Sequence, residues 1–245
     1  MLEIKNLRYQ VADDAGNLDI LQDISLKVET GHFVVITGPN GGGKTTLAKA
    51  IMGIATPTGG EILWNGTDVT HMSITDRARL GISYGFQQPP RFKGLKVRDL
   101  LSLAAGQADL KDEECCQYLT RVGLCAHDYI NREVDASLSG GELKRIEIAT
   151  ILARKAGLMI FDEPEAGIDL WSFAKLTETF RQIHARHEAT LVVISHQERI
   201  IDLADEIVMV AGGKVTRSGP KDEIFPLILA NTASGCSYMN GGGAQ

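Results

Sequence analysis

A chain of 245 residues with 44% hydrophobic content is long enough to bury a core of its own, as one large α/β domain or a domain with a sizeable subdomain. Its 31 acidic and 25 basic residues give a formal net charge of -6, which argues against nucleic acid or an anionic membrane surface as the main partner. No apolar run reaches the roughly 18 residues a membrane span needs, so direct membrane insertion is not expected and any membrane role must pass through another protein.

The opening "MLEIKNLRYQ" alternates Leu2, Ile4 and Leu7 with charged residues, the period-two pattern of a strand. It lacks the basic-then-apolar layout of a signal peptide, so the chain reads as cytoplasmic. "VADDAGNLDI" sets Asp13, Asp14, Gly16 and Asn17 between two strand-like runs, which predicts a hairpin or small antiparallel sheet. "HFVVITG", residues 32–38, is a short apolar run that stops at Gly38, and "KTTLAKAIMGI" follows with helical character. The order is strand, glycine-rich loop, helix. "TPTGGEILWNGTDVT" carries Pro57, Gly59, Gly60 and Gly66 around a short β pattern and continues the antiparallel portion.

From about Leu95 to Lys155 the reading is mostly helical, with "VRDLLSLAAG" and "ECCQYLTRVGL" as candidate helices, and a helical subdomain is expected over approximately 90–155. "LMIFDE" (158–163) and "TLVVISH" (190–196) are apolar runs, and between them Leu170, Phe173, Leu176 and Phe180 recur at helical spacing. Strand, helix, strand implies a parallel sheet with ligand chemistry at the carboxyl ends of its strands. Residues 1–230 thus read as a single domain, and 231–245, "NTASGCSYMNGGGAQ", as a flexible tail. The cysteines, Cys115, Cys116, Cys125 and Cys236, match no standard zinc or ferredoxin-like spacing and read as reduced, inert thiols, with Cys236 in the tail the most exposed.

Three stretches carry chemistry. "GPNGGGKT", residues 38–45, fits the phosphate-binding pattern Gly-x4-Gly-Lys-Thr in its required strand-to-helix context. Gly38, Pro39, Asn40, Gly41, Gly42, Gly43, Lys44, Thr45 and Thr46 are therefore candidate nucleotide-binding residues. Backbone amides from Asn40 through Thr45 cradle phosphates in such a loop, Lys44 neutralises the outer ones and the Thr45 hydroxyl ligates Mg²⁺. Asp162 ends the buried run Leu158–Phe161, where a carboxylate can hold the Mg²⁺ shell, and Glu163 beside it can orient or deprotonate an attacking water. "LSGGELKR", residues 138–145, places Gly140 and Gly141 at a helix start although Gly costs roughly 1 kcal/mol against Ala in a helix interior. Ser139 and Glu142 make a capping box. That accounts for those two residues and leaves the glycines to be explained, either by local turn geometry or by an anion that approaches a bare helix N-terminus.

With these motifs in this order, the chain resembles an ATP-binding cassette (ABC) ATPase over nearly its whole length. GPNGGGKT looks like Walker A, LSGGE like the signature and LMIFDE like Walker B. Gln87 in "GFQQPP" resembles the Q-loop glutamine, with Gln88 as the alternative, and "AGID" resembles the D-loop, with Asp169. His196 of "ISH" resembles the switch histidine. The resemblance implies a P-loop α/β fold with a mixed sheet, an antiparallel β portion and an inserted helical subdomain. It implies ATP and Mg²⁺ as ligands, with Thr45, Gln87 and Asp162 at the metal and Glu163, His196 and Gln87 in catalysis. It also implies an ATP-dependent homodimer in which Ser139, Gly140 and Gly141 of one copy meet the γ-phosphate bound by the other. Tyr9 is a candidate for stacking on adenine, although the family's usual aromatic falls nearer Val11, and its alternative is packing within the sheet.

Finer details resemble the SufC branch, the cassette ATPase of the SUF iron–sulfur cluster assembly system. They are "TDRARLGISYGFQQPP", "SGGELKR" followed by "IEI", Ala166 and Gly167 before Ile168-Asp169, and "SHQERIID". That branch implies a SufB/SufD-like scaffold as partner. Leu138-Ser139, where SufC often has Phe-Ser, and Pro164 depart toward transporter cassettes, whose partner is a membrane permease.

Overall fold

The computed structural model describes residues 1–13, 16–187 and 189–234. Along the chain the elements are β1 (Leu2–Asp13), β2 (Gly16–Val28), β3 (Phe33–Thr37), α1 (Lys44–Met52), β4 (Gly59–Trp64), β5 (Thr67–Asp68), α2 (Ile74–Arg79), β6 (Ile82–Gly85) and β7 (Phe92–Lys96). There follow α3 (Val97–Ala105), α4 (Asp112–Arg121), α5 (Ala126–Tyr129), β8 (Glu133–Val134), α6 (Gly140–Ala153), β9 (Leu158–Asp162) and α7 (Leu170–Ala185). The chain continues with β10 (Thr190–Ile194), α8 (Glu198–Ile201), β11 (Glu206–Ala211), β12 (Lys214–Pro220) and α9 (Lys221–Ser234).

A six-stranded sheet in the order β12-β11-β3-β10-β9-β6 forms the centre, parallel except for the β11–β12 hairpin. Its inner strands are apolar throughout because both faces are covered. Successive residues of β3, β9 and β10 point to opposite faces: Phe33, Val35, Met159, Phe161, Leu191 and Val193 join one apolar cluster, and Val34, Ile36, Leu158, Ile160, Val192 and Ile194 join the other. The first cluster takes most of its remaining side chains from α3, α4, α6 and α7. The second is closed by α1 and by the antiparallel sheet β2-β1-β4-β5. This is the P-loop α/β architecture with a mixed sheet and an antiparallel β portion.

Three local features differ from the sequence reading. The segment 92–96 is a strand paired with β8, and helix α3 begins only at Val97. Gly94 sits at φ 84, outside the helical region, and Lys96 caps α3 with Asp99 accepting from the Lys96 amide at 2.8 Å. The β11–β12 hairpin was not assigned from sequence, although Gly212 and Gly213, both at positive φ, form the expected two-residue turn between extended runs. Helix α9 extends through Ser234, so residues 231–234 of the expected tail are helical, and the rest of it, with Cys236, lies outside the described residues. Of the predicted Asp13–Asn17 turn, Asp14 likewise lies outside them, while Asp13 and Gly16 pair across β1 and β2.

Candidate nucleotide-phosphate site

Strand β3 ends at Thr37 and the chain turns at Gly38, whose φ is 136 and where a Cβ would lie 2.1 Å from the carbonyl oxygen of Val210. Only glycine lets the backbone pass β11 there. The loop is tied down by Gly213, whose N–H donates to Gly42 O at 3.1 Å and whose carbonyl accepts from Gln22 N at 2.8 Å. Helix α1 then starts at Lys44 behind Gly43, with no side chain capping its first amides. Uncapped amides at the positive end of a helix are an anion site.

A cavity of about 470 Å³ opens there, lined by residues 40–46 with Ile20, Gln87 and Glu163. The Lys44 ammonium curls onto the loop, donating to Gly38 O at 2.8 Å and Pro39 O at 2.9 Å. Burial pulls its pKa down, and the nearby Glu163 and Asp162 carboxylates act against that shift.

The acidic side of the cavity comes from the end of β9. Asp162 is buried and accepts from Thr45 Oγ1 at 3.1 Å and from the Tyr84 hydroxyl at 2.9 Å. Burial pushes its pKa up, while those two hydrogen bonds favour the carboxylate. Tyr84 was not singled out from sequence; its own hydroxyl is pushed up by burial and by Asp162. Glu163 follows at φ 45, its N–H donating to Ile194 O at 3.0 Å, so the chain leaves β9 pinned to the end of β10. Its carboxylate accepts from Gln87 Nε2 at 2.6 Å. That bond uses the Gln87 amide nitrogen; the amide oxygen is the atom a metal beside Thr45 and Asp162 would take, and Gln87 lines the same cavity as Thr45. Gln88 lines a separate cavity with Gly140 and Gly167, so Gln87 is the glutamine that reaches the Lys44 loop.

His196 follows β10 and faces the loop from the other side, its Nδ1 3.4 Å from Thr37 Oγ1, in a cavity shared with residues 37–40. Burial lowers its pKa and the Lys44 charge adds to this. The residue before it, Ser195, donates to Glu165 at 2.6 Å and accepts from Gln197 N at 3.0 Å. Sequence reasoning missed Glu165. The signal available was a third acid at the exit of the Walker B strand.

Tyr9 does not reach the cavity. It sits opposite Leu21 in the β1–β2 ladder, and cross-strand partners share a face, so the half-buried ring packs against the core. Ile20 lines the cavity wall, and the packing of Tyr9 within the sheet is the alternative that its place in the ladder favours over stacking on adenine.

The signature segment is elsewhere. Ser139 caps α6, accepting from Glu142 N at 3.2 Å while Glu142 accepts from Ser139 N at 2.7 Å. Glu142 is also held by the Tyr129 hydroxyl and by Arg132 at 3.3 Å, and these hydrogen bonds hold its pKa down at about 2. A Cβ on Gly140 would meet no atom within 4 Å, and one on Gly141 would make only ordinary contact, at 3.6 Å. Nothing among the described residues requires glycine at either position, and residues 138–141 do not line the Lys44 cavity. Asp169, in the D-loop-like segment, caps α7 by accepting from Trp171 N and Ser172 N, each at 3.0 Å.

A phosphate loop after β3 of a mainly parallel sheet, with an acid pair at the end of β9, one strand removed across β10, defines a P-loop nucleotide hydrolase. The ABC transporter family matches residues 21–166, and the chain belongs to that family of ATPases. It is 40% identical to the uncharacterized ABC transporter ATP-binding protein MJ0035 of Methanocaldococcus jannaschii, over 85% of this chain and 86% of that one. It is 32% identical to the sulfate/thiosulfate import ATP-binding protein CysA of Synechocystis, over 88% of this chain but only 60% of the longer relative. Among solved structures, the dimeric cassette MJ0796 bound to ADP and Pi superposes with a TM-score of 0.83 at 23% identity, over 90% of this chain and 99% of that one. Among the described residues no helix is long and apolar enough to cross a membrane.

Proposed function

We propose that two copies of this ATPase pair so that Ser139, Gly140 and Gly141 of each meet the ATP held on the other's Lys44 loop, and that pairing drives a conformational change in a bound partner protein. The observation that carries this reading is the signature segment itself. Gly140 leaves open space that no residue of the same chain fills, and Gly141 beside it makes only ordinary contact, at a helix N-terminus that lies outside the chain's own phosphate cavity. An anion brought by a second copy fits that space.

Within each site the residues have separable tasks. The loop amides and Lys44 bind the phosphates. Thr45 and Asp162 present a hydroxyl and a carboxylate 3.1 Å apart, an all-oxygen donor pair that fits Mg²⁺, and they would hold it. The chemistry Mg²⁺ would supply there is to offset phosphate charge during hydrolysis. Glu163 orients a water and takes its proton as the water oxygen bonds the γ-phosphorus and the bond to the ADP oxygen breaks. His196 senses the γ-phosphate from the Thr37 side, and Gln87 links the site to the helical region. Residues 1–230 act as one ATPase domain with the helical subdomain at approximately 90–155.

The partner is proposed to be the permease of a transport system, as the names of the relatives at 32% identity favour. A specific set of residues favours a second reading, a SufB/SufD-like scaffold in iron–sulfur assembly: the runs "SGGELKR" with "IEI" and "SHQERIID" quoted above. In both, the docking place is the apolar groove of about 180 Å³ between Phe86, Pro90, Phe92 and α6. Affinity purification of the Glu163→Gln chain with ATP, followed by mass spectrometry, tests both. A multi-span permease supports the first and a SufB/SufD-like protein the second; recovery of neither, from cells that express both, removes the partner reading.

A further inference from the structure

Helix α6 carries a buried ion pair that catalysis does not use. Lys144 and Glu147, one turn apart, lie 3.1 Å from each other with side chains only 1% and 9% exposed. A buried pair is poor evidence for stability, because desolvation cancels much of the attraction, so its location invites another reason. Both members hold the same residue of another element. Glu147 Oε1 accepts from the backbone N–H of Phe86 at 2.8 Å, and Lys144 Nζ donates to the carbonyl of Phe86. The next residue is Gln87, whose amide engages Glu163.

We infer that Lys144 and Glu147 are positioning residues: they clamp both main-chain polar groups of Phe86, one in each of its flanking peptide units, and so set where Gln87 presents its amide to Glu163. Hydrogen bonds to Phe86, the chain step from Phe86 to Gln87 and the bond from Gln87 to Glu163 then connect the signature helix to the acid beside the phosphate cavity. The same Glu147 borders the apolar groove with Phe86, Phe92, Leu100 and Leu143. A side chain entering that groove would meet Phe86 and Glu147 of the clamp, while Gln87 does not line it. Burial pushes the Glu147 pKa up, while Lys144 and the Phe86 amide oppose that shift.

The test exchanges the pair for apolar groups. Lys144→Met with Glu147→Leu removes two buried charges together, a replacement often neutral in stability, so the melting temperature should stay within about 3 °C of wild type. The KM for ATP should stay within about twofold, because the Lys44 loop is untouched, while kcat falls at least about tenfold. The decisive arm repeats this in a Gln87→Ala background, followed by single-turnover phosphate release so that slow rates are measurable. If the clamp works through Gln87, its removal there should change the rate by no more than about twofold. A folded double variant with wild-type kcat overturns the inference, and so does an equal loss in both backgrounds. Should the double variant not fold, amide exchange of the wild-type chain decides: protection of the Phe86 N–H comparable with that of α6 supports the clamp, and exchange at the rate of an open loop overturns it. The inference rests on Gln87 acting with Glu163. Failure of that reading is separately visible as wild-type turnover in Glu163→Gln.

Discussion

The side chains of Gln87 and Glu163, which leave the sheet from β6 and β9, are joined by a 2.6 Å hydrogen bond from amide to carboxylate. One carboxylate oxygen of Glu163 is therefore engaged while its backbone is held at φ 45, a conformation that non-glycine residues seldom adopt. The acid stands at the mouth of the phosphate cavity with its position fixed from both ends. Glu163→Gln keeps the side-chain shape and removes the base. Turnover should fall about 100-fold or more while the Kd for ATP stays within about threefold. Lys44→Ala should instead raise that Kd at least about tenfold, since it removes a charge aimed at phosphate. Nucleotide binding by fluorescence and phosphate release by a coupled assay separate the two, and a Glu163→Gln rate within threefold of wild type removes Glu163 from the chemistry.

Two glycines of different standing make a paired test. Gly38→Ala places a methyl group 2.1 Å from the Val210 carbonyl oxygen at a φ of 136, so it should destabilise the fold by roughly 3 kcal/mol and abolish nucleotide binding. Gly140→Ala meets no atom of its own chain. Its melting temperature should be unchanged or slightly higher, because Ala favours a helix. Its ATPase activity should nonetheless drop, and added to Glu163→Gln it should prevent the doubling of mass that light scattering is expected to show when Glu163→Gln protein is given ATP and Mg²⁺. Wild-type activity in Gly140→Ala would mean that the open space is not used by a second copy.

The parts of this molecule legible in its sequence are those in which chemistry restricts residue type. Phosphate demands bare amides and a cation, so Gly38 through Thr45 announce themselves, and a strand covered on both faces must be apolar, which makes 158–162 and 190–194 plain. Interactions that rest on tertiary approach leave weaker marks. Tyr9 lies in the right strand, but the ladder register that turns its ring to the core is a property of the folded pair. Glu165 and Tyr84 matter through contacts with Ser195 and Asp162, residues 30 and 78 positions away in sequence. Lys144 and Glu147 read in sequence as ordinary helix charges, and only the fold shows that both are buried against Phe86. The strand at Phe92–Lys96 escapes periodicity because its partner, β8, is two residues long.

Phe92 is 41% exposed and borders the apolar groove beside α6. A ring with much of its surface in solvent contributes little to the core, so Phe92→Ala should leave basal ATPase activity near wild type and lower the melting temperature by less than about 3 °C. Affinity for the partner proposed to dock in the groove should fall more than about tenfold, equivalent to about 1.4 kcal/mol. Titration of the isolated partner by calorimetry measures this. A mutant that melts several degrees lower with unchanged affinity would make Phe92 a core residue and move the docking surface elsewhere.

The capping box at Ser139 and Glu142 gives a prediction with a defined pH range. The hydrogen bonds from Tyr129 and Ser139 hold the Glu142 pKa at about 2 in the folded chain, against 4.5 as the ordinary value. A carboxyl whose pKa is depressed by folding contributes stability that is fully present above its unfolded value and is lost as pH falls toward the folded one. The charge on Glu142 therefore stabilises the chain above about pH 5, with the contribution shrinking below pH 4.5 and gone near pH 2. Glu142→Gln retains an acceptor for the Ser139 amide but not the charge, and should cost about 1 kcal/mol at pH 7, of the order of a helix N-cap. Urea unfolding of both chains at a series of pH values tests this. The gap between them should be constant from pH 7 to 5 and narrow on further acidification; a gap that stays constant down to pH 3 would show that the loss comes from packing around Tyr129 rather than from charge.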